Sequence, residues 1–214
     1  HLLCLMLETT SLVSQYCDYL RANGKAASED SYNKMIMILF NQKYEELYDY
    51  RMRDQTQEGT ATDQLQNERQ SVGHVDLWIN HNSASMSVVE GIKITSINRA
   101  NLIKHIGKIF GYSYIQAPAH FLVIYADVND IDKTWKRYNA FLKELKDSSE
   151  LYWKISKLIP REEIELIQKN IRMEKYVCMT EHHYGDRYVN IYHIMIDIKK
   201  HPEKLQAKTV RNKR

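Results

Sequence analysis

Three cysteines, three prolines and seven glycines in 214 residues are few, and each scarcity closes off a class of protein. Cys4, Cys17 and Cys178 are odd in number, far apart and set among apolar residues. That pattern argues against a disulfide frame or a cysteine zinc site and predicts reduced thiols in a core, as in a reducing cytoplasm. A phosphate-cradling loop is missing: Gly107 and Gly111 stand in or after a helix-like stretch without the Gly-Lys-Ser/Thr that such a loop needs. There is no serine elbow and no cysteine with a histidine placed to activate it. No apolar run is long enough to span a bilayer, and Leu2 to Leu7 is short and lacks the basic flank and cleavage site of a signal peptide. A soluble, cytoplasmic protein without membrane contact is expected. Internal repeats are absent too.

With 43% hydrophobic and 27% charged residues, the chain has enough apolar material for a core of ordinary size. The net charge of +3 is unevenly spread: residues 199–214 hold seven Lys/Arg and one Glu, leaving 23 basic against 26 acidic residues in 1–198, a net of −3. Lys208, Arg211, Lys213 and Arg214 could therefore contact phosphates, or form a solvated end. The chain opens on His1 rather than Met, as a segment of a longer protein would.

Apolar spacing predicts a helix over 2–21 ending near Asn23-Gly24, and a second from Ser28 with Met35, Ile36, Ile38, Leu39, Tyr44 and Leu47 as its buried side. Residues 51–59 read as extended, and 60–71 as a long polar loop able to close over a substrate. Two strands follow around Asn80 to Ser87, then a helix from Ser96 or Asn98 to Phe110 ended by Gly111. Phe121 to Tyr125 reads as a strand buried on both faces, and Trp135, Tyr138, Phe141, Leu142 and Leu145 form the stripe of another helix. Pro160 is expected to start a helix to about Lys169. Tyr176–Thr180 and Val189–Ile196 form a terminal hairpin around Tyr184-Gly185-Asp186. The order predicts an α/β fold, a mixed β-sheet flanked by helices.

Chemistry is concentrated in Gly73-His74-Val75-Asp76-Leu77-Trp78-Ile79 and Val88-Val89-Glu90-Gly91-Ile92-Lys93-Ile94. Each apolar strand carries one carboxylate, and a hairpin would present Asp76 and Glu90 together. Carboxylates that close repel, and a hard cation with oxygen ligands removes that cost, so the pair points to Mg2+, with Mn2+ as a substitute. The alternative is two surface carboxylates at strand edges. Alternation sets Val88, Glu90 and Ile92 on one face and Val89, Gly91 and Lys93 on the other. Ile92 thus occupies the position two residues after Glu90 on the same face, where a lysine could have steadied an attacking water. Either Lys93 turns inward through a bulge, or Lys108 substitutes from the next helix, where Asn101, His105 and Lys108 share a face opposite Leu102, Ile106 and Ile109. Gln55 and Gln57 share a strand face that could contact a phosphate or orient a water, and Glu29 could add a third carboxylate or simply favour its helix start. His182-His183 beside Glu181 lacks metal-ligand spacing and reads as structural or surface.

Asp54-Gln55-Thr56, Gly73-His74-Val75-Asp76, Val89 to Ile94, and His105-Ile106-Gly107-Lys108 followed by Phe121 to Tyr125 together resemble the PD-(D/E)xK, or restriction-endonuclease-like, nucleases. The resemblance covers about residues 28–145. More narrowly, the chain is similar to nuclease-like domains of bacterial anti-phage defence NTPase proteins, in which the second acid is followed by small and apolar residues and a His-x-x-Lys lies on the next helix. The resemblance implies metal binding by Asp76 and Glu90, Lys108 as charge-stabilising base with His105 beside it, and Gln55 as an accessory contact. It further implies a restriction-endonuclease-like domain over 28–198, between an N-terminal helix and connection (1–27) and a basic tail (199–214). The implied activity is Mg2+-dependent DNA cleavage under control of a fused or associated NTPase or sensor module. Two other readings stay open. One is a catalytically silent nuclease-fold module that binds nucleic acid. The other is an assembly domain in which Leu2, Leu3, Leu5, Met6 and Leu7 pack on another chain or on an upstream region.

Overall fold

Residues 1–22, 25–54, 76–82, 84–111, 119–167 and 176–199 are described by a computed structural model. The first helix, α1 (Leu2–Tyr16), buries Leu3, Met6, Leu7, Thr10 and Val13 on one side, the spacing of a helical stripe. The hydroxyls of Thr9 and Thr10 turn back to the carbonyls of Leu5 and Met6, each at 2.8 Å, so neither is left unsatisfied in the core. The second helix, α2 (Glu29–Tyr48), is capped by Ser28, whose hydroxyl accepts from the Ser31 amide, and carries Glu29 and Asp30 in its first turn. Its buried side is Tyr32, Asn33, Ile36, Phe40 and Tyr44. Ile38 and Leu47, expected inside, are 60% and 76% exposed. Ile38 stands two residues from Ile36, about half a turn around the helix from the buried stripe, and Leu47 falls in the last turn.

Seven strands follow: β1 (Tyr50–Asp54), β2 (Leu77–His81), β3 (Ala84–Ile94), β4 (Ala119–Ala126), β5 (Lys154–Pro160), β6 (Val177–Tyr184) and β7 (Arg187–Asp197). They form one sheet in the order β1-β2-β3-β4-β7-β6-β5. The β3–β4 and β4–β7 pairs are parallel and the rest antiparallel, so the fold is mixed α/β. Among the described residues three further α-helices are α3 (Arg99–Phe110), α4 (Ile131–Lys146) and α5 (Arg161–Ile167). The capping residues Asn98 and Asp130 accept from Asn101 and Lys133 amides, fixing where α3 and α4 begin.

β5 was not foreseen. Lys154, Ser156 and Lys157 break its apolar alternation, it bulges between Ile155 and Lys157, and it lies at the sheet edge, where lysines and a terminal proline are tolerated. Pro160 accordingly ends a strand, and α5 starts at Arg161.

The sheet is buried on both faces. Val88, Ile92, Leu122, Ile124, Ile191 and Met195 pack with Leu102, Ile106, Tyr138 and Leu142 of α3 and α4. Val89, Phe121, Val123, Tyr125 and Ile194 pack with Met6, Val13, Ile36 and Phe40 of α1 and α2. Helix α1 is therefore packed into the same core as α2 and the sheet. Ser14 donates to the Asp197 carbonyl and Arg21 to that of Ile198, at 3.2 and 2.8 Å, tying α1 and its successor to the end of β7. The apolar residues once available for assembly, Leu3, Leu5, Met6 and Leu7, are covered by this chain's own core. Among the described residues no helix is long and apolar enough to cross a membrane.

Candidate active site

Two strand registers bring the acids together. Leu77 lies opposite Val89, so the next position back along β2 sets Asp76 across from Glu90. Past Val89, two β3 amides are met by side-chain carboxylates. Asp76 Oδ2 accepts from the Gly91 amide at 2.7 Å, and Glu29 Oε2 accepts from the Lys93 amide at 2.7 Å. Two carboxylates, one from the start of β2 and one from α2, thus take backbone amides on either side of Ile92 in β3.

Glu29 reaches β3 because α2 sits unusually close to it. An added Cβ on Gly91 would lie 2.2 Å from Asn33 Oδ1, one helical turn after Glu29. Asn33 Oδ1 in turn accepts from Tyr125 Oη at 2.6 Å, and Tyr32 stacks on Tyr125 with ring centroids 5.1 Å apart. Asn33 and Tyr125 are positioning residues that the sequence reading passed over. A signal was present: Asn33 is a polar residue inside the apolar stripe Tyr32, Ile36, Phe40.

Glu90 is fully buried, and its two oxygens differ. Oε1 accepts from Lys108 Nζ at 2.5 Å and lies 2.8 Å from His105 Nδ1, an approach too oblique to make a hydrogen bond. Among the described residues Oε2 has no hydrogen-bond partner, and neither has His105 Nδ1. Lys108 arrives from the last turn of α3, whose Leu102, Ile106 and Ile109 are packed into the core. Burial alone would lower the Lys108 pKa, but the hydrogen bond and charge of Glu90, with Asp76 and Glu29 behind it, raise it above the ordinary lysine value. Lys108 is accordingly a firm cation, suited to stabilising charge rather than to taking a proton. Burial, and next the Glu90 charge, push Asp76 up to about 6, against the opposing Gly91 hydrogen bond and Lys108 charge.

Lys93 does not reach this cluster. Its ammonium donates to the carbonyls of Ala26 and Ala27, at 3.2 and 2.7 Å, on the α2 side of the sheet. No bulge occurs near it, the one irregularity in the β2–β3 ladder lying between Ile79 and Asn80. Gln55, Gln57, the 60–71 loop and the terminal Lys208, Arg211, Lys213 and Arg214 lie outside the described residues. His182 and His183 point apart, as alternation requires: His182 is buried and His183 only partly so.

The donor set can be tested against a divalent cation. Among the described residues no group of three or more His, Cys, Asp and Glu is placed to hold a metal. Mg2+ does not need one, since it is commonly held by one or two carboxylates and completes its shell with waters and phosphate oxygens. Glu90 Oε2, buried with no partner, and Asp76, whose charge burial disfavours, fit that requirement. Comparison with protein-family models, curated proteins and solved structures finds no match for this chain.

Proposed function

We propose that this chain is a metal-dependent nuclease domain that hydrolyses DNA phosphodiesters, with the restriction-endonuclease-like fold its motifs resemble. The observation that carries the reading is the split environment of Glu90: one oxygen on Lys108, the other buried and unsatisfied, beside the protonation-prone Asp76. An isolated buried carboxylate oxygen is costly, and retaining one next to a second acid is the signature of a site awaiting a ligand.

Bound Mg2+ would neutralise non-bridging phosphate oxygens and acidify a water. Asp76 and Glu90 would hold it. Lys108 carries its proton at Nζ and is placed to balance charge that develops on the phosphate. His105, with Nδ1 buried and unpaired 2.8 Å from Glu90, would be free to donate to a bound phosphate or water. Glu29 holds the Lys93 amide of β3, the strand whose Gly91 amide Asp76 takes. Control by a fused or associated NTPase or sensor module is part of the same proposal.

The test is cleavage of plasmid and oligonucleotide DNA with Mg2+ or Mn2+, in the wild type and in Asp76→Asn, Glu90→Gln and Lys108→Met. Cutting should require the metal, stop with EDTA, and fall at least a hundredfold in each variant that still melts cooperatively. A second reading, a catalytically silent binding module, draws on the Glu90–Lys108 pair already neutralising itself. DNA binding that survives EDTA in a wild type unable to cut would favour it.

A further inference from the structure

The charge of α4 runs against that of the body it belongs to. Residues 1–198 carry a net −3. Within α4, Lys133, Lys136, Arg137, Lys143 and Lys146 face only Asp132 and Glu144. Glu144 is engaged by Arg99 of α3 at 3.2 Å, and Asp132 accepts from the Tyr176 hydroxyl at 3.0 Å. Lys136, Arg137 and Lys143 are exposed and make no ion pair among the described residues.

Two of these cations line a groove. Lys136 and Lys143, two turns apart, form with Trp135 one wall of a ≈ 410 Å³ cleft whose other wall carries Arg161 and Glu162 and whose floor reaches Cys178. Arg161 gives its Nε to Glu165 at 2.7 Å, which leaves its terminal nitrogens facing no carboxylate among the described residues. Lys136 and Lys143 thus stand without an ion pair among the described residues in a concave site that also carries Glu162 and the Arg161–Glu165 pair. The two lysines are spaced by about 10 Å along the helix axis, close to three base rises of a nucleic-acid strand.

The groove also lies level with the acidic site. Cys178 pairs with His193 across β6–β7, His193 with Leu122 across β7–β4, and Leu122 with Glu90 across β4–β3. All four positions face the α3–α4 side of the sheet, so Glu90 and the groove floor are three strand spacings apart, roughly 14 Å. A flat anionic membrane suits this geometry poorly. The apolar side of α4, Tyr138, Phe141, Leu142 and Leu145, is buried in the core and has nothing to insert.

We propose that the α4–α5 groove seats the sugar-phosphate backbone of a nucleic-acid strand flanking the phosphate held at Asp76 and Glu90. What the strand is there for rests on the nuclease reading, but binding in the groove does not require cutting. The test uses the whole chain in EDTA, with fluorescence anisotropy of duplex and single-stranded DNA of about 30 nucleotides across a salt series. K136E/K143E should weaken binding at least tenfold near 100 mM salt and lower the slope of log affinity against log salt by about 2, while K34E on α2 changes affinity less than twofold. Should K136E/K143E melt abnormally, K136Q/K143Q carries the same expectation in sign. The groove is refuted if wild type binds neither DNA, if the paired changes do no more than K34E, or if they abolish only binding to phosphatidylserine vesicles. Lost binding without any metal-dependent cutting in the wild type would sink the nuclease reading alone. Cutting with unchanged binding in K136E/K143E would sink the groove alone.

Discussion

Gly91 and Asn33 touch so closely that the space for a side chain on β3 is already filled by the α2 amide group, 2.2 Å from where a Cβ would stand. Alanine at position 91 must therefore displace the Asn33 side chain, and with it the Asn33–Tyr125 hydrogen bond. Gly91→Ala should cost about 1–3 kcal/mol by overpacking. Gly107, in the middle of α3, would meet nothing within 4 Å. Gly107→Ala should stabilise by up to about 1 kcal/mol through helix propensity. Urea denaturation of both variants checks the opposite signs, and equal effects would remove the proposed role of the Asn33 contact.

Much of this architecture could be read before the structure. Alternation alone placed Glu90 and Lys93 on opposite faces, and the i, i+3 spacing of His105 and Lys108 brought both to Glu90. The start of α3 was legible, as Ser96 or Asn98, because side-chain chemistry at a helix start is local, and Asn98 is the cap. β5 was not legible, since an edge strand is specified by its partner β6 and by what it avoids rather than by an apolar pattern of its own. The surrogate role of Asp76 and Glu29 was equally hidden. It joins β3 to the start of β2 and to α2, a relation between elements that no single segment carries.

Glu90 and Lys108 form a pair with side-chain exposures of 0% and 17%, so removing either partner strands the other. Lys108→Met leaves a buried carboxylate without its cation and should destabilise by roughly 3–5 kcal/mol at neutral pH. Glu90→Gln/Lys108→Met removes both charges and should recover most of that loss, giving a coupling energy above about 1 kcal/mol in a double-mutant cycle. Additive losses would show that the two groups do not depend on each other. Either way the double variant is expected to be inactive, which separates fold from chemistry.

Asp76 is held at about 6, above its ordinary value of 3.8, by burial and by Glu90. A carboxylate whose folded pKa is raised adds stability at pH below about 4 that is lost as pH rises through 6, so at pH 8 the ionised form opposes folding. Asp76→Asn keeps an oxygen for the Gly91 amide while deleting that charge. It should stabilise the metal-free protein on the order of 1–3 kcal/mol at pH 8, with little effect at pH 4, while abolishing DNA cleavage. Thermal melts at the two pH values in EDTA, beside cleavage assays, measure both halves. A variant that is less stable at pH 8 than the wild type would contradict the electrostatic account.

A chain of buried hydrogen bonds ends on the Trp153 carbonyl, and that carbonyl dictates every proton upstream. His182 Nδ1 must donate to it at 3.1 Å, so His182 Nε2 accepts from Thr180 Oγ1 at 2.8 Å. Thr180 in turn accepts from His193 Nε2 at 2.7 Å, and His193 Nδ1 accepts from Tyr138 Oη at 2.7 Å. Both rings are neutral, and burial depresses His182 to about 4 and His193 to about 3, as it does His120 to about 4. A histidine with a depressed folded pKa binds its proton more readily when unfolded, so the stability it permits is complete above about 6.5 and is lost as pH falls toward 3–4. Three such rings, with Asp76 acting in the opposite sense, predict a net loss of roughly 2–3 kcal/mol per pH unit around pH 5. Denaturant unfolding at pH 7, 6 and 5 reads the slope, and ring nitrogen shifts in NMR should show His182 protonated on Nδ1 and His193 on Nε2. Stability that is flat over that range in both the wild type and Asp76→Asn, or a tautomer reversed at either ring, would overturn the assignment of this network.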